Sequence, residues 1–142
     1  MMDNKPALRI KSKLWIELEE EVVFGLGRIR LFEAIEKTGS MSSAAVSLGM
    51  SYRAAWGKVK ATEDRLQLRL VERQQGNRMK GTTLTPAGKE LLFRYTNFQR
   101  EAHNHIDQLF EDHLGDLLKH LKKEINCETN HPTNKTRVPE NM

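Results

Sequence analysis

Arg53, Lys58 and Lys60 follow closely on one another, with the small residues Ala54 and Gly57 set between them. A guanidinium can meet a guanine edge with two parallel hydrogen bonds. Ammonium groups serve better as phosphate contacts, which position a protein on DNA without reading its sequence. On a helix turning about 100° per residue, Arg53, Gly57, Lys60 and Asp64 share one side, flanked by Ala54 and Ala61. Such a face, small between its charges, could lie close to the floor of a major groove. Arg73, Arg78 and Lys80 follow in a polar stretch and could grip the flanking backbone. Ser42, Ser43 and Ser51 stand near expected helix starts, where hydroxyls and backbone N–H groups cap the helix and can also bind phosphate. Tyr52 is a further candidate contact, and Trp56, between the two faces, reads as core. The chemistry on offer is the binding of a polyanion, not the making or breaking of bonds.

The segment GSMSSAAVSLGMSYRAAWGKV, Gly39 to Val59, must hold these groups in place. A short helix is expected over 43–48, capped by Ser42, with Ala44, Ala45 and Leu48 as its apolar face. Gly49 reverses the chain, since glycine takes a left-handed conformation at least cost. Ser51 caps a second helix over 52–68, whose core side carries Ala55, Val59, Thr62 and Leu66. Ala45, four residues before Gly49, is small enough for the two helices to cross closely. This is the helix-turn-helix arrangement.

Around that unit, Leu8, Ile10, Ser12, Leu14, Ile16 and Leu18 alternate with polar residues and predict one half-buried strand, ended by Glu19–Glu21. A helix over 27–37 follows, closed by Gly39. Strands at 70–72 and 82–84 flank turn residues Gly76, Asn77 and Gly81, giving a basic wing. Thr85-Pro86 opens a long helix. Its apolar stripe runs through Leu91, Tyr95, Phe98, Ala102, Ile106 and Leu109, is interrupted at His113, and resumes at Leu117, Leu121 and Ile125. Unbroken, it would be about 52 Å long at about 1.5 Å per residue, more than so small a domain can cover. The excess predicts a second copy packed along it, through Leu91, Tyr95, Phe98, Ala102, Ile106, Leu109 and Leu117. Gly115 is a point where the helix can break. The expected fold is mainly α with a small β component: a winged helix-turn-helix over 1–85, a long C-terminal dimerisation helix over 86–125, and a disordered polar tail over 126–142.

The chain has 142 residues and a net charge of +4. From Ser51 to Arg94 there are ten basic residues against four acidic, a local net of +6. A basic surface coinciding with a helix-turn-helix suits a polyanion, because binding releases condensed counterions. No apolar run is long enough to span a bilayer, and the N-terminus lacks the apolar core of a signal peptide. A single cysteine, Cys127, excludes an internal disulfide framework. These features predict a cytoplasmic protein with no membrane association, no cofactor and no evident small-molecule domain. No glycine-rich phosphate loop appears, and the serines sit at caps without a histidine partner, so an enzyme is not expected. His113, Asp116, His120, Cys127 and His131 offer metal-type ligands, an alternative in which the regulator responds to a metal, but their spacing matches no closed site. A second alternative keeps the winged-helix shape for protein partners.

GSMSSAAVSLGMSYRAAW, followed by LVERQQGNRMKGTTLTPAGKELL, resembles the N-terminal winged-helix domain of ModE-type molybdate-responsive regulators. The resemblance is most specific at Ser51-Tyr52-Arg53, Ala55-Trp56, Val71-Glu72-Arg73 and Leu84-Thr85 before Gly88. It runs from about Leu8 to about Leu114. The LysR-type family shares the helix-turn-helix spacing and the segment from Glu72-Arg73 to Gly88. What the resemblance implies is a homodimer, joined partly by the long helix, that binds palindromic operator DNA. Full-length members carry C-terminal oxyanion-binding domains, which this chain is expected to lack, so no molybdate-site residues transfer to it.

Overall fold

The computed structural model describes residues 7–73 and 81–128. They fall into two compact units, 12–103 in one and 7–11 with 104–128 in the other. In the larger unit the N-terminal segment is a hairpin: β1 (Trp15–Leu18) runs antiparallel to β2 (Glu21–Gly25). The single strand predicted over 8–18 is therefore four residues long, and its side chains are exposed. Val23 and Phe24 of β2 supply the buried residues instead. Glu19 and Glu20 make the turn, both left-handed at φ 52° and 68°. A two-residue hairpin turn with both φ positive matches the twist of its strands.

Between Ile16 and Glu17 the register shifts, and Val23 stands outside the paired positions. A bulge of this kind leaves a backbone group to be satisfied elsewhere. Here Thr62 donates its hydroxyl to the Val23 carbonyl at 2.7 Å. Arg65 donates to the Val22 carbonyl and pairs with Glu21 at 2.6 Å. Thr62→Val keeps the volume and removes the donor. It is expected to cost about 1–3 kcal/mol, the penalty for an unsatisfied buried group, read as a lower urea midpoint at unchanged slope.

Helix α1 (Leu26–Thr38) buries Ile29, Leu31, Phe32 and Ile35, and ends at Gly39, which is left-handed at φ 68°. Helix α2 (Met41–Ser47) is capped by Ser40, whose side chain accepts the Ser43 N–H at 3.1 Å. The cap expected of Ser42 is thus two residues earlier, because Met41 is already helical and its side chain is needed in the core. Gly49 turns the chain at φ 67°. Helix α3 (Tyr52–Leu66) is capped by Ser51, which accepts the Ala54 N–H. Ala55, Val59 and Thr62 are buried on its inner face, and Leu66 is half-buried.

Strands β3 (Val71–Arg73) and β4 (Thr82–Leu84) pair antiparallel, Val71 opposite Leu84. The Thr82 N–H donates to the Gly39 carbonyl at 2.8 Å, which ties β4 to the corner between α1 and α2. Arg78 and Lys80 lie outside the described residues. Thr85 opens α4 (Pro86–Leu114): its hydroxyl oxygen accepts the Gly88 N–H and donates to the Arg69 carbonyl at 2.6 Å.

On α4 the apolar stripe divides. Tyr95, expected on a dimer face, is buried in its own chain, edge-on to Phe24 at 4.9 Å and donating to the Leu14 carbonyl at 2.8 Å. Burial pushes its hydroxyl pKa above the ordinary value. Leu91 packs half-buried against the same core, whereas Phe98 is exposed. In the smaller unit Leu109 is exposed, and Ile106 and Leu117 are half-buried. The helix breaks as expected at Gly115, where a Cβ would lie 2.5 Å from the Glu111 carbonyl oxygen. Helix α5 (Leu117–Glu128) follows and passes the expected boundary at residue 125. The tail expected beyond it, with His131, lies outside the described residues.

Candidate nucleic-acid interface

Arg53, Ala54, Gly57, Lys58 and Lys60 are all exposed on α3, opposite the buried side of Ala55 and Val59. A Cβ built on Gly57 meets nothing within 4 Å, so internal packing places no demand for glycine there. The face is bare, small and basic, and it stands on a helix seated in the core along its other side. Ser42 and Ser43 are exposed at the start of α2, and Ser51 at the start of α3. Of these three side chains, only that of Ser51 caps a helix.

Tyr52, Trp56 and Arg73 come together where α3 meets the wing. The Arg73 guanidinium lies over the Trp56 ring, 4.6 Å from its centre, and donates from Nη2 to the Tyr52 hydroxyl at 3.3 Å. Tyr52 and Trp56 meet edge-on at 6.4 Å. Trp56 is half-buried, as a residue between the faces should be. Arg73 was expected to grip the DNA backbone; in the free chain its guanidinium lies against Tyr52 and Trp56 of α3.

Glu63 has a role its sequence context does not reveal. Its carboxylate accepts the backbone N–H groups of Leu70 at 2.7 Å and Val71 at 3.1 Å. These donors stand at the entry to β3. Between α3 and β3 lies a cavity of about 520 Å³, where Lys60, Arg69 and Arg73 face Glu63 and Glu72 beside Trp56 and Val71. Farther along the same unit, burial and then the neighbouring Arg65 lower the pKa of Arg28 from its ordinary value. No group of three or more His, Cys, Asp or Glu that could hold a metal is present among the described residues. His120 meets Glu124 at 3.4 Å. No helix of the described residues is long and apolar enough to cross a membrane.

Residues 26–89 match the model of the bacterial regulatory helix-turn-helix protein, lysR family. The molybdenum transport protein ModE of Azotobacter vinelandii is 32% identical over 106 residues, which are 74% of this chain and 39% of that protein. The molybdenum-pterin-binding protein MopB of Rhodobacter capsulatus is 42% identical over 72 residues, 50% of this chain and 27% of that protein. The chain thus spans about two fifths of the first relative's length and about a quarter of the second's. Among solved structures, the crystal structure of a CbnR_DBD–DNA complex is 27% identical with a TM-score of 0.49, covering 58% of this chain and 90% of that one. Residues 26–89, which resemble the lysR-family helix-turn-helix protein, take in α1, the helix-turn-helix of α2 and α3, both strands β3 and β4, and the start of α4.

Proposed function

We propose that the chain is a sequence-specific regulator of transcription that binds double-stranded DNA as a homodimer and catalyses no reaction. The observation that carries this reading is the outer face of α3, where exposed Arg53, Lys58 and Lys60 surround Ala54 and Gly57 on a lysR-family helix-turn-helix. In this reading α3 enters the major groove, Arg53 reads a guanine edge, and Lys58 and Lys60 meet phosphates. Ser42, Ser43 and Ser51 add phosphate contacts at the helix starts, and Arg78 and Lys80 add charge from the wing. Residues 1–85 do the binding. The segment 86–125 joins two copies through Phe98, Ala102, Ile106, Leu109 and Leu117, which suits a palindromic site. A regulator of this kind works beside the chromosome, in the cytoplasm.

Fluorescence anisotropy of the purified chain on a duplex selected from a random-sequence pool, and on its scrambled counterpart, tests this. Binding should favour the selected duplex and weaken steeply with salt. Binding to neither duplex at low salt would sink the reading. Two of the relatives are named for molybdenum, so molybdate and tungstate are the effectors to add first. Arg53→Ala is expected to cost about 1–3 kcal/mol on the selected site and to relax preference at one base step. An equal loss on every sequence would show instead that Arg53 meets the backbone.

A further inference from the structure

We infer that Tyr52, Trp56 and Arg73 form a clamp that fixes the wing to the recognition helix, and that Arg73 is a positioning residue and not a phosphate contact. The inference rests on the DNA-binding reading above and deepens it. Tyr52 and Trp56 are one turn apart on α3, and Arg73 is the last residue of β3. Between them the chain reverses at Gln67, left-handed at φ 56°. A planar guanidinium can lie over an aromatic face and donate within its own plane at the same time. Arg73 does both, with Trp56 under its face at 4.6 Å and Tyr52 at Nη2 at 3.3 Å. An ammonium group, a compact point charge, cannot reproduce that pair of contacts.

Glu63 completes the attachment. Its carboxylate takes the N–H groups of Leu70 and Val71 at the entry to β3, and Arg73 holds the exit. The strand β3 is therefore fastened to α3 at both ends and must follow the helix. The indole also carries a cost that phenylalanine would avoid, because Trp56 Nε1 is buried with no hydrogen-bond partner among the described residues. Its gain is the stronger face for a cation. With its face and one donor committed to α3, the Arg73 guanidinium sets how β3 and β4 stand against the flanking DNA.

Full-length Arg73→Ala, Arg73→Lys, Tyr52→Phe and the Tyr52→Phe/Arg73→Ala double variant test the clamp, each titrated across a salt series against the duplex selected by the wild type. Both Arg73 variants should weaken specific binding about tenfold, and Arg73→Lys should do so at an unchanged salt slope. The double variant should bind no more weakly than Arg73→Ala alone, because the pair acts as a unit. Wild-type binding by Arg73→Lys, with a slope reduced by about one in Arg73→Ala, would make Arg73 a phosphate contact and overturn the inference. Additive losses in the double variant would also overturn it. In the free protein, the indole N–H resonance of Trp56, identified in a Trp15→Phe background, should move in both Arg73 variants. If it moves in neither, the clamp does not exist, whatever DNA does. If the wild type selects no duplex, the DNA-binding reading fails, and the indole resonance still decides the clamp.

Discussion

Phe32→Ala is expected to remove about 3–5 kcal/mol of stability, the range for truncating a fully buried aromatic ring. Phe32 is wholly buried on α1 and meets Phe24 edge-on at 5.2 Å. Phe24 in turn meets Tyr95 at 4.9 Å, so one row of rings joins α1, β2 and α4. Edge-on pairs add about 0.5–1.5 kcal/mol each beyond the apolar area they bury. The cavity left by alanine is bordered by the Phe24 ring, which is held in turn by Tyr95 of α4 and cannot collapse into it without moving β2. A domain of ordinary stability, about 5–15 kcal/mol, would lose a large share of it. Urea unfolding followed by circular dichroism measures the loss. A change below about 1 kcal/mol would show that the site closes over the cavity and that the row of rings is not the centre of the core.

Gly88→Ala is expected to cost about 3 kcal/mol or more, at the upper end for overpacking. A Cβ on Gly88 would lie 2.2 Å from the Leu70 carbonyl oxygen and 3.1 Å from its carbon. Both are backbone atoms, so no rotamer change relieves the overlap. That carbonyl cannot retreat cheaply either, because it accepts the Thr85 N–H at 2.9 Å. The glycine lets α4 start directly against the entry to β3, where Thr85 and Glu63 also act. Alanine would push the first turn of α4 away and strain the wing from behind. The variant should melt far below the wild type and, in the surviving folded fraction, show weaker DNA binding with an altered salt slope. An unchanged melting temperature would mean that α4 does not approach β3 this closely.

The two predictions test different parts of one frame. Phe32 concerns how α1 is seated, and Gly88 concerns how the wing and α4 share one corner. Both differ in kind from Arg53→Ala, which should leave stability within about 0.5 kcal/mol, as for an exposed residue without a structural partner.

Local rules read the helix-turn-helix well. Gly39 and Gly49 mark left-handed ends, Ser51 and Thr85 cap helices, and Ala55, Val59 and Thr62 form the inner side of α3. Each depends on residues within a turn or two, so the sequence carries the information directly. The same is true of the exposed basic face, because a helix with one side in the core must present the other. The helix break at Gly115 and the wing strands were legible for the same reason, since glycine and proline punctuate the chain locally.

What failed to show in the sequence depends on partners far away along it. Alternation from Leu8 to Leu18 states a period but not which strand is covered, and it is Val23 and Phe24 that are buried, Phe24 against Phe32 of α1 and Tyr95 of α4. The stripe on α4 marks an apolar face without saying whether that face meets the same chain or a second copy; Phe24 and Leu14 claim Tyr95. Glu63 looks like any surface carboxylate until the reversal at Gln67 brings two backbone donors to it. Arg73 looks like a free cation until Tyr52 and Trp56 lie beside it. By itself the sequence determined which faces exist: their periods, caps, breaks and charges, because these are local consequences of residue type. Only the tertiary structure decided which faces meet, because that choice rests on long-range packing and on satisfying buried backbone groups, and neither has a local period.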